Sequence, residues 1–309
     1  MTHLKSSMRI GIDLGGTKTE VIALSSRGEE IFRKRVPTPS DDYDAIIASI
    51  TSLVDDAQGA TGQRGQVGIG MPGSISKSTG LIKNANTTCL IGRPFDRDIA
   101  KSIGRPVRVQ NDANCFALSE AVDGVGSDSK IVFGVIIGTG TGGGLVIDRQ
   151  VIDGHNGIAG EWGHNPLPWP RDDERPGPQC YCGKRGCIET FLSGPALARD
   201  HARTGAAPLT ADDIAASAHA GDATARATLE RYADRMARAL ATVINTVDPD
   251  VIVLGGGLSN IASLYDLIPS RWGDHVFSDT VTTALRPAAH GDSGGVRGAA
   301  WLWEDDATT

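Results

Sequence analysis

Apolar residues arrive in short bursts punctuated by glycine. Met8 to Ile12 is the first run, broken by Asp13-Leu14-Gly15-Gly16-Thr17-Lys18; Val21 to Leu24 is the second, ended by Ser25-Ser26-Arg27-Gly28. Short apolar, β-branched runs bounded by turn formers predict strand, Gly-Thr turn, strand, turn. The same arrangement returns about 120 residues later: Ile131 to Ile137, a glycine turn from Gly138 to Gly144, and Leu145 to Ile147 before Asp148-Arg149. One unit used twice, once per domain, accounts for both. Helical spacing is fewer but legible. Ile46, Ile47, Ile50, Leu53 and Val54 predict a helix over Ala45–Val54. The longest predicted helix runs from Ala223 to Val247, with Leu229, Tyr232, Met236, Leu240, Val243, Ile244 and Val247 on one face. Pro249 forbids its continuation. Val251 to Leu254 then predicts a buried strand entering Gly255-Gly256-Gly257, Val107 to Gln110 another strand, and Val296 to Trp303 a last helix. Residues 168–179, rich in Pro, Asp and Arg, predict an irregular surface loop. The fold class is α/β with two similar halves.

Length agrees, since 309 residues correspond to about two domains. An apolar fraction of 40% with 22% charged residues is ordinary globular usage, which excludes disorder for the bulk of the chain. The net charge of −7, with no run of like charges, opposes a nucleic-acid partner. No apolar stretch is long enough to span a bilayer, and Met1–Ser7 lacks the apolar core of a secretory signal. Of five Cys, three crowd at 180, 182 and 187, which points to a reducing compartment and metal ligation rather than disulfides. A cytoplasmic location is expected.

Five segments carry candidate chemistry. In Asp13-Leu14-Gly15-Gly16-Thr17-Lys18, glycines let amides converge on an anion, Thr17 adds a hydroxyl, Lys18 a positive charge, and Asp13 could hold Mg²⁺ through water. An ordinary hairpin turn is the alternative. Gly138-Thr139-Gly140-Thr141-Gly142-Gly143-Gly144 contains G-x-G-x-x-G, but Leu145-Val146-Ile147 continues as strand where the dinucleotide fingerprint must open a helix. With no Walker-type motif either, a pair of phosphate hairpins facing across a cleft remains. Gly291-Asp292-Ser293-Gly294-Gly295 imitates a serine-protease nucleophile segment, yet only 14 residues follow Gly295, so Ser293 is expected in a loop before the last helix. His164 with Cys180-x-Cys182-x₄-Cys187 offers three thiolates and an imidazole, a full tetrahedral Zn²⁺ shell with no open position and therefore structural. Buried free cysteines beside a core histidine are the alternative. Finally, Asn111-Asp112-Ala113-Asn114 follows a strand, where Asp112 suits a general base on a substrate hydroxyl or, equally, a helix cap. Glu161 and Glu189 near the zinc segment supply acceptors for the hydroxyls of a neutral polyol.

Together these segments resemble the bacterial ROK family of sugar kinases, within the actin-like ATPases. Gly70-Met71-Pro72-Gly73, Glu161-Trp162-Gly163-His164 and Gly255-Gly256-Gly257 complete the likeness, which covers residues 8–303. Through Lys83-Asn84-Ala85-Asn86, Glu161 to Trp169 and His290-Gly291-Asp292-Ser293, the chain is similar to fructokinases of the manno(fructo)kinase type, with N-acetylglucosamine kinases as near relatives. The resemblance implies two ribonuclease H-like domains around a cleft. The first would be 8–117, joined by a C-terminal helix at about 293–309, and the second 118–292. It implies ATP, Mg²⁺ and structural Zn²⁺, with Asp112 as base and Gly73, Asn86, Asn111, Glu161, His164 and Glu189 around the sugar. His164 would serve twice, one ring nitrogen on zinc and the other toward a sugar hydroxyl. Gly11, Asp13, Gly15, Gly16, Thr17 and Lys18, together with Thr139, Gly140, Thr141, Gly142 and Gly143, would line the phosphates; Gly255, Gly256 and Gly257 would lie near the adenosine. Family repressors carry a DNA-binding region ahead of Asp13, where this sequence has 12 residues, so an enzyme is expected. The expected reaction is phosphorylation of fructose to fructose 6-phosphate. An N-acetylglucosamine or N-acetylmannosamine kinase and a non-catalytic sugar-binding regulator are the alternatives, and a homodimer is the expected assembly.

Overall fold

The computed structural model describes residues 8–303, so the leader and the end of the last predicted segment lie outside the described residues. Its first sheet is built from β1 (Arg9–Leu14), β2 (Lys18–Leu24), β3 (Glu30–Pro37), β4 (Gln66–Met71) and, after the small hairpin β5 (Ser74–Ile75) and β6 (Ile82–Lys83), β7 (Val107–Asn111). The strand order is β3-β2-β1-β4-β7, antiparallel across the two hairpins and parallel from β1 to β4 to β7. The second sheet holds β8 (Ile131–Ile137), β9 (Thr141–Ile147), β10 (Gln150–Val151), β11 (Val251–Gly255) and β12 (Ala284–Pro287), ordered β10-β9-β8-β11-β12. Strand for strand the two plans coincide, with the same hairpin and the same parallel neighbours. The expected repeat is therefore a repeat of topology, and the α/β class stands.

Helices α1 (Tyr43–Thr61) and α2 (Phe95–Ile103) flank the first sheet. α1 is longer than its apolar stripe because its ends are set by caps. The Asp42 side chain accepts from Ala45 N, and Gly62 closes the helix in the left-handed region. α4 (Glu189–Leu192), α5 (Gly194–Ala202), α6 (Ala211–His219), α7 (Ala223–Val247), α8 (Leu264–Leu267) and α9 (Pro269–Trp272) cover the second. α7 has the predicted bounds, capped by Asp222 and stopped at Asp248 before Pro249. Within the described residues no helix is long and apolar enough to cross a membrane.

Two helices exchange partners. α3 (Asp112–Val122) follows a strand of the first sheet yet lies on β8 and β9 of the second; α10 (Gly294–Ala300) follows the second sheet yet lies on β1 and β4. Glycine makes both approaches possible. A Cβ at Gly144 would come within 2.6 Å of Ala113 O on α3, and Cβ atoms at Gly11 and Gly68 would collide with the α10 carbonyls of Val296 and Ala299. A boundary at 117/118 thus falls inside α3. The last helix also differs from its prediction, beginning at Gly294 and ending at Ala300, where residues 301–303 turn away. Small residues, rather than the apolar ones at its end, press it against the strands. The 168–179 segment is not merely a surface loop. Its Glu174 is 5% exposed and paired with Arg235 and Arg238 of α7.

Candidate active site

β7 passes into α3 with no linker, so the strand end and the helix N-terminus form one corner at Asn111-Asp112. The Asn111 side chain caps the helix, accepting from Ala113 N at 3.0 Å and Asn114 N at 3.3 Å. Capping thereby falls to Asn111. Asp112 stands at the first helical position, its Oδ1 accepting from Ala113 N at 2.8 Å. Gln110 braces the corner: its Oε1 accepts from Asn111 N and Asn114 Nδ2, and its Nε2 donates to Asp153 Oδ1 at 2.7 Å. Burial pushes the Asp112 carboxyl above its ordinary value, against the opposing pull of the Ala113 N–H, and Glu161 adds to the rise. Asp13, at the end of β1, is raised to about 7 by burial and then by the nearby charge of Asp112. A buried carboxyl raised further by the charge of a second one makes a site that a divalent cation would relieve.

The facing wall is the Glu161–His164 turn. Trp162 Nε1 donates to Gly142 O at 2.9 Å, and a side chain at Gly143 would meet the indole at 2.7 Å. That anchoring leaves Glu161 and His164 toward the cleft. Glu189 opens α4, and its Oε2 accepts from Thr141 N at 3.0 Å, so it steadies the β8–β9 loop as well as facing the cleft. The cleft itself encloses about 740 Å³. The structure brings together on its walls Gly73, Asn86, Asn111, Asp112, Thr139 to Gly143, Glu161, His164 and Glu189 from the predicted set.

Other predicted residues lie elsewhere. Gly11 sits mid-strand beneath α10. Gly15 closes a tight turn, donating to Lys18 O at 3.0 Å and accepting from Thr38 Oγ1 at 2.8 Å, with Gly16, Thr17 and Lys18 exposed outside the cleft. Gly255 lies against the Phe116 ring, and Gly256, at φ +81°, abuts Ile137 O beside the β8–β9 loop; neither they nor Gly257 line the cleft. Glycine marks a close approach whether the neighbour is a ligand or the chain itself. The predicted glycine turn is also shorter than expected: β9 begins at Thr141, leaving Gly138–Gly140 as the loop. Ser293 accepts from Arg33 at 2.7 Å ahead of α10, which leaves it no nucleophile's partners.

His164, Cys180, Cys182 and Cys187 converge, with all four ligand atoms within 4.8 Å of one another. Cys182 Sγ to Cys187 Sγ is 3.6 Å and Cys180 Sγ to His164 Nδ1 is 3.7 Å. A tetrahedron with Zn–S bonds of about 2.3 Å has edges of about 3.7 Å, so the donor set fits Zn²⁺. The imidazole departs from expectation. With Nδ1 turned to the sulfurs, Nε2 shares a hydrogen bond of 2.9 Å with the Tyr181 hydroxyl rather than facing the cleft unpartnered. The two rings meet edge to face at 5.1 Å. Tyr181 is thus a cleft residue that sequence reasoning missed, although an aromatic side chain between two metal ligands was its signal.

Two copies of one sheet plan around a cleft, with a carboxylate at the helix corner on its wall, define a two-domain, actin-like fold. The sequence profile of the ROK family matches residues 9–306, and the chain belongs to that family. An N-acetyl-D-glucosamine kinase of Aliivibrio salmonicida (strain LFI1238) is 41% identical over 299 residues, 96% of this chain and 99% of that protein. Among solved structures, the ROK hexokinase from Thermus thermophilus aligns with a TM-score of 0.84 at 30% identity, covering 96% of this chain and 97% of that one. A ROK family glucokinase from Streptomyces griseus, in complex with glucose and AMPPNP, gives 0.77 at 28% identity over 96% of this chain and 98% of its own. These relatives overturn the fructokinase reading. Parts of the segments that suggested it serve the scaffold, since Lys83 Nζ donates to Asn156 O, Pro168 and Trp169 carbonyls bind Arg238, and His290 bonds Asp123, while Asn86, Glu161 and His164 of the same segments line the cleft. Such segments carry family membership without deciding which sugar is taken.

Proposed function

We propose that this chain is an ATP-dependent sugar kinase acting on N-acetyl-D-glucosamine, with Asp112 as the general base. One observation carries the chemistry: Asp112 sits at the N-terminus of α3 with its carboxyl raised by burial, between the Glu161–His164 wall and the Gly138–Gly140 loop. The substrate class rests on the likeness to N-acetyl-D-glucosamine kinases along nearly the whole chain. In this reading Glu161, Asn86 and Glu189 accept from sugar hydroxyls, while Asn111 and Gly73 shape the floor. Asp112 takes the proton from the primary hydroxyl as its oxygen bonds to the γ-phosphorus, and the bond to ADP breaks. Phosphoryl transfer asks chiefly for positioning and charge stabilisation. Amides of the β8–β9 loop supply these from the cleft wall. Asp13 would hold Mg²⁺, which neutralises phosphate charge. Zn²⁺ at His164 and the three cysteines would hold the wall and keep Glu189 on the loop.

The test is ADP release on adding N-acetyl-D-glucosamine, N-acetylmannosamine, glucose or fructose at fixed ATP. Turnover highest with N-acetyl-D-glucosamine is expected. ADP release indifferent to every sugar would sink the proposal.

A further inference from the structure

Past Asn111 and Glu161 the cleft continues into a smaller cavity of about 80 Å³. Asn111, Gly143 and Glu161 border both spaces, so the smaller opens from the larger. Its volume admits a few heavy atoms and not a sugar ring. Met71, Ile75, Val109, Ile158 and Ala159 supply apolar walls. Of the charged groups around it, Lys77 Nζ donates to Gly154 O at 2.5 Å and Asp153 accepts from Gln110 at 2.7 Å, which leaves the Glu161 carboxylate that it shares with the main cleft. What the cavity offers an uncharged ligand is apolar surface, the Asn111 amide and the buried Asn114 Oδ1, which has no hydrogen-bond partner. Asn111 Nδ2 gives one hydrogen to Gly73 O at 3.2 Å and carries a second. Ile158 stands at the rim, 47% exposed, an apolar side chain of the sort that a ligand covers.

We infer that this side cavity is the subsite for the substrate's N-acyl group, its methyl against Ile158, Ala159 and Ile75 and its carbonyl accepting from Asn111. The inference rests on the N-acetyl-D-glucosamine reading and adds to it a means of choosing that sugar over glucose. Glucose, with a hydroxyl in place of the acetamido group, leaves the cavity to water. Filling it from the far wall, by Ala159→Leu, removes the space without touching the residues proposed to hold the ring.

The experiment measures kcat/KM for N-acetyl-D-glucosamine, N-butyrylglucosamine and glucose in the native enzyme, Ala159→Leu and Ile158→Ala. A small apolar pocket discriminates by roughly 10- to 200-fold, so Ala159→Leu should lose about that factor for N-acetyl-D-glucosamine while glucose turnover changes little. Ile158→Ala should raise KM for the acetyl sugar and admit the butyryl sugar, which the native enzyme is expected to reject. Parallel losses for both sugars in Ala159→Leu, or unchanged values in both variants, overturn the subsite. A native enzyme that phosphorylates none of the three overturns the N-acetyl-D-glucosamine reading and the subsite with it.

Discussion

Glu174→Ala tests what holds the long segment between the zinc ligands. Glu174 Oε1 accepts from Arg235 Nε and Arg238 NH2, both at 2.8 Å, and its Oε2 accepts from Arg171 N at 2.9 Å. The Glu174, Arg235 and Arg238 side chains are each no more than 4% exposed. Removing one partner of a buried pair costs about 3–5 kcal/mol, because the abandoned charge has no water to turn to. Here each arginine retains another acid, Asp200 for Arg235 and Asp234 for Arg238. The lower end, about 3 kcal/mol, is therefore expected. For a chain of this size that is a fall of about 5 °C in Tm, read by calorimetry at neutral pH. The pH dependence gives a second reading. Burial alone would raise the Glu174 carboxyl, but hydrogen bonds from Arg238 and Arg235 outweigh it and hold the group at about 2, against 4.5 ordinarily. A depressed carboxyl contributes stability that is complete above its ordinary value and lost as pH falls through the window from about 4.5 to 2. The native and Glu174→Ala curves should converge in acid. A Tm change within about 1 °C at pH 7, or a gap that widens in acid, would refute the reasoning.

Asp112→Asn should keep sugar affinity, measured by titration calorimetry, and lose roughly two to four orders of magnitude in turnover. Metal analysis should find one Zn²⁺ per chain in the native protein, and Cys182→Ala should lose it. Because Glu189 ties the same segment to Thr141 N, ADP release should fall in that variant too. Asp13 is raised to about 7, so charging it costs stability that the ligand-free fold loses as pH climbs from about 4 to 7. Asp13→Asn should flatten that slope in thermal melts without ligand; an unchanged slope would mean that Asp13 is not the group responsible.

Much of the site was legible because its chemistry is local. The clustered cysteines at 180, 182 and 187 lie within eight residues of chain, and Asn111-Asp112 joins cap and acid across one peptide bond. Spacing in sequence nearly equals spacing in space for such groups. The two hairpins and α7 were legible for the same reason, since period and punctuation are properties of adjacent residues. The glycines were not. Gly11 and Gly143 looked alike as phosphate formers, yet one receives α10 and the other the Trp162 ring. Tyr181 was hidden because its partner, His164, is 17 residues away.

The sequence by itself determined the repeated α/β plan, the family, the cysteines that cluster with His164 and the acid at the head of α3. Only the tertiary structure decided which glycines face the cleft, that α3 and α10 cross between the halves, that Arg235 and Arg238 bury their charges on Glu174, and that a side cavity opens behind Asn111. Those features depend on where distant strands come to rest. Hydrophobic periodicity orients one element at a time, whereas a cleft is the space left between several.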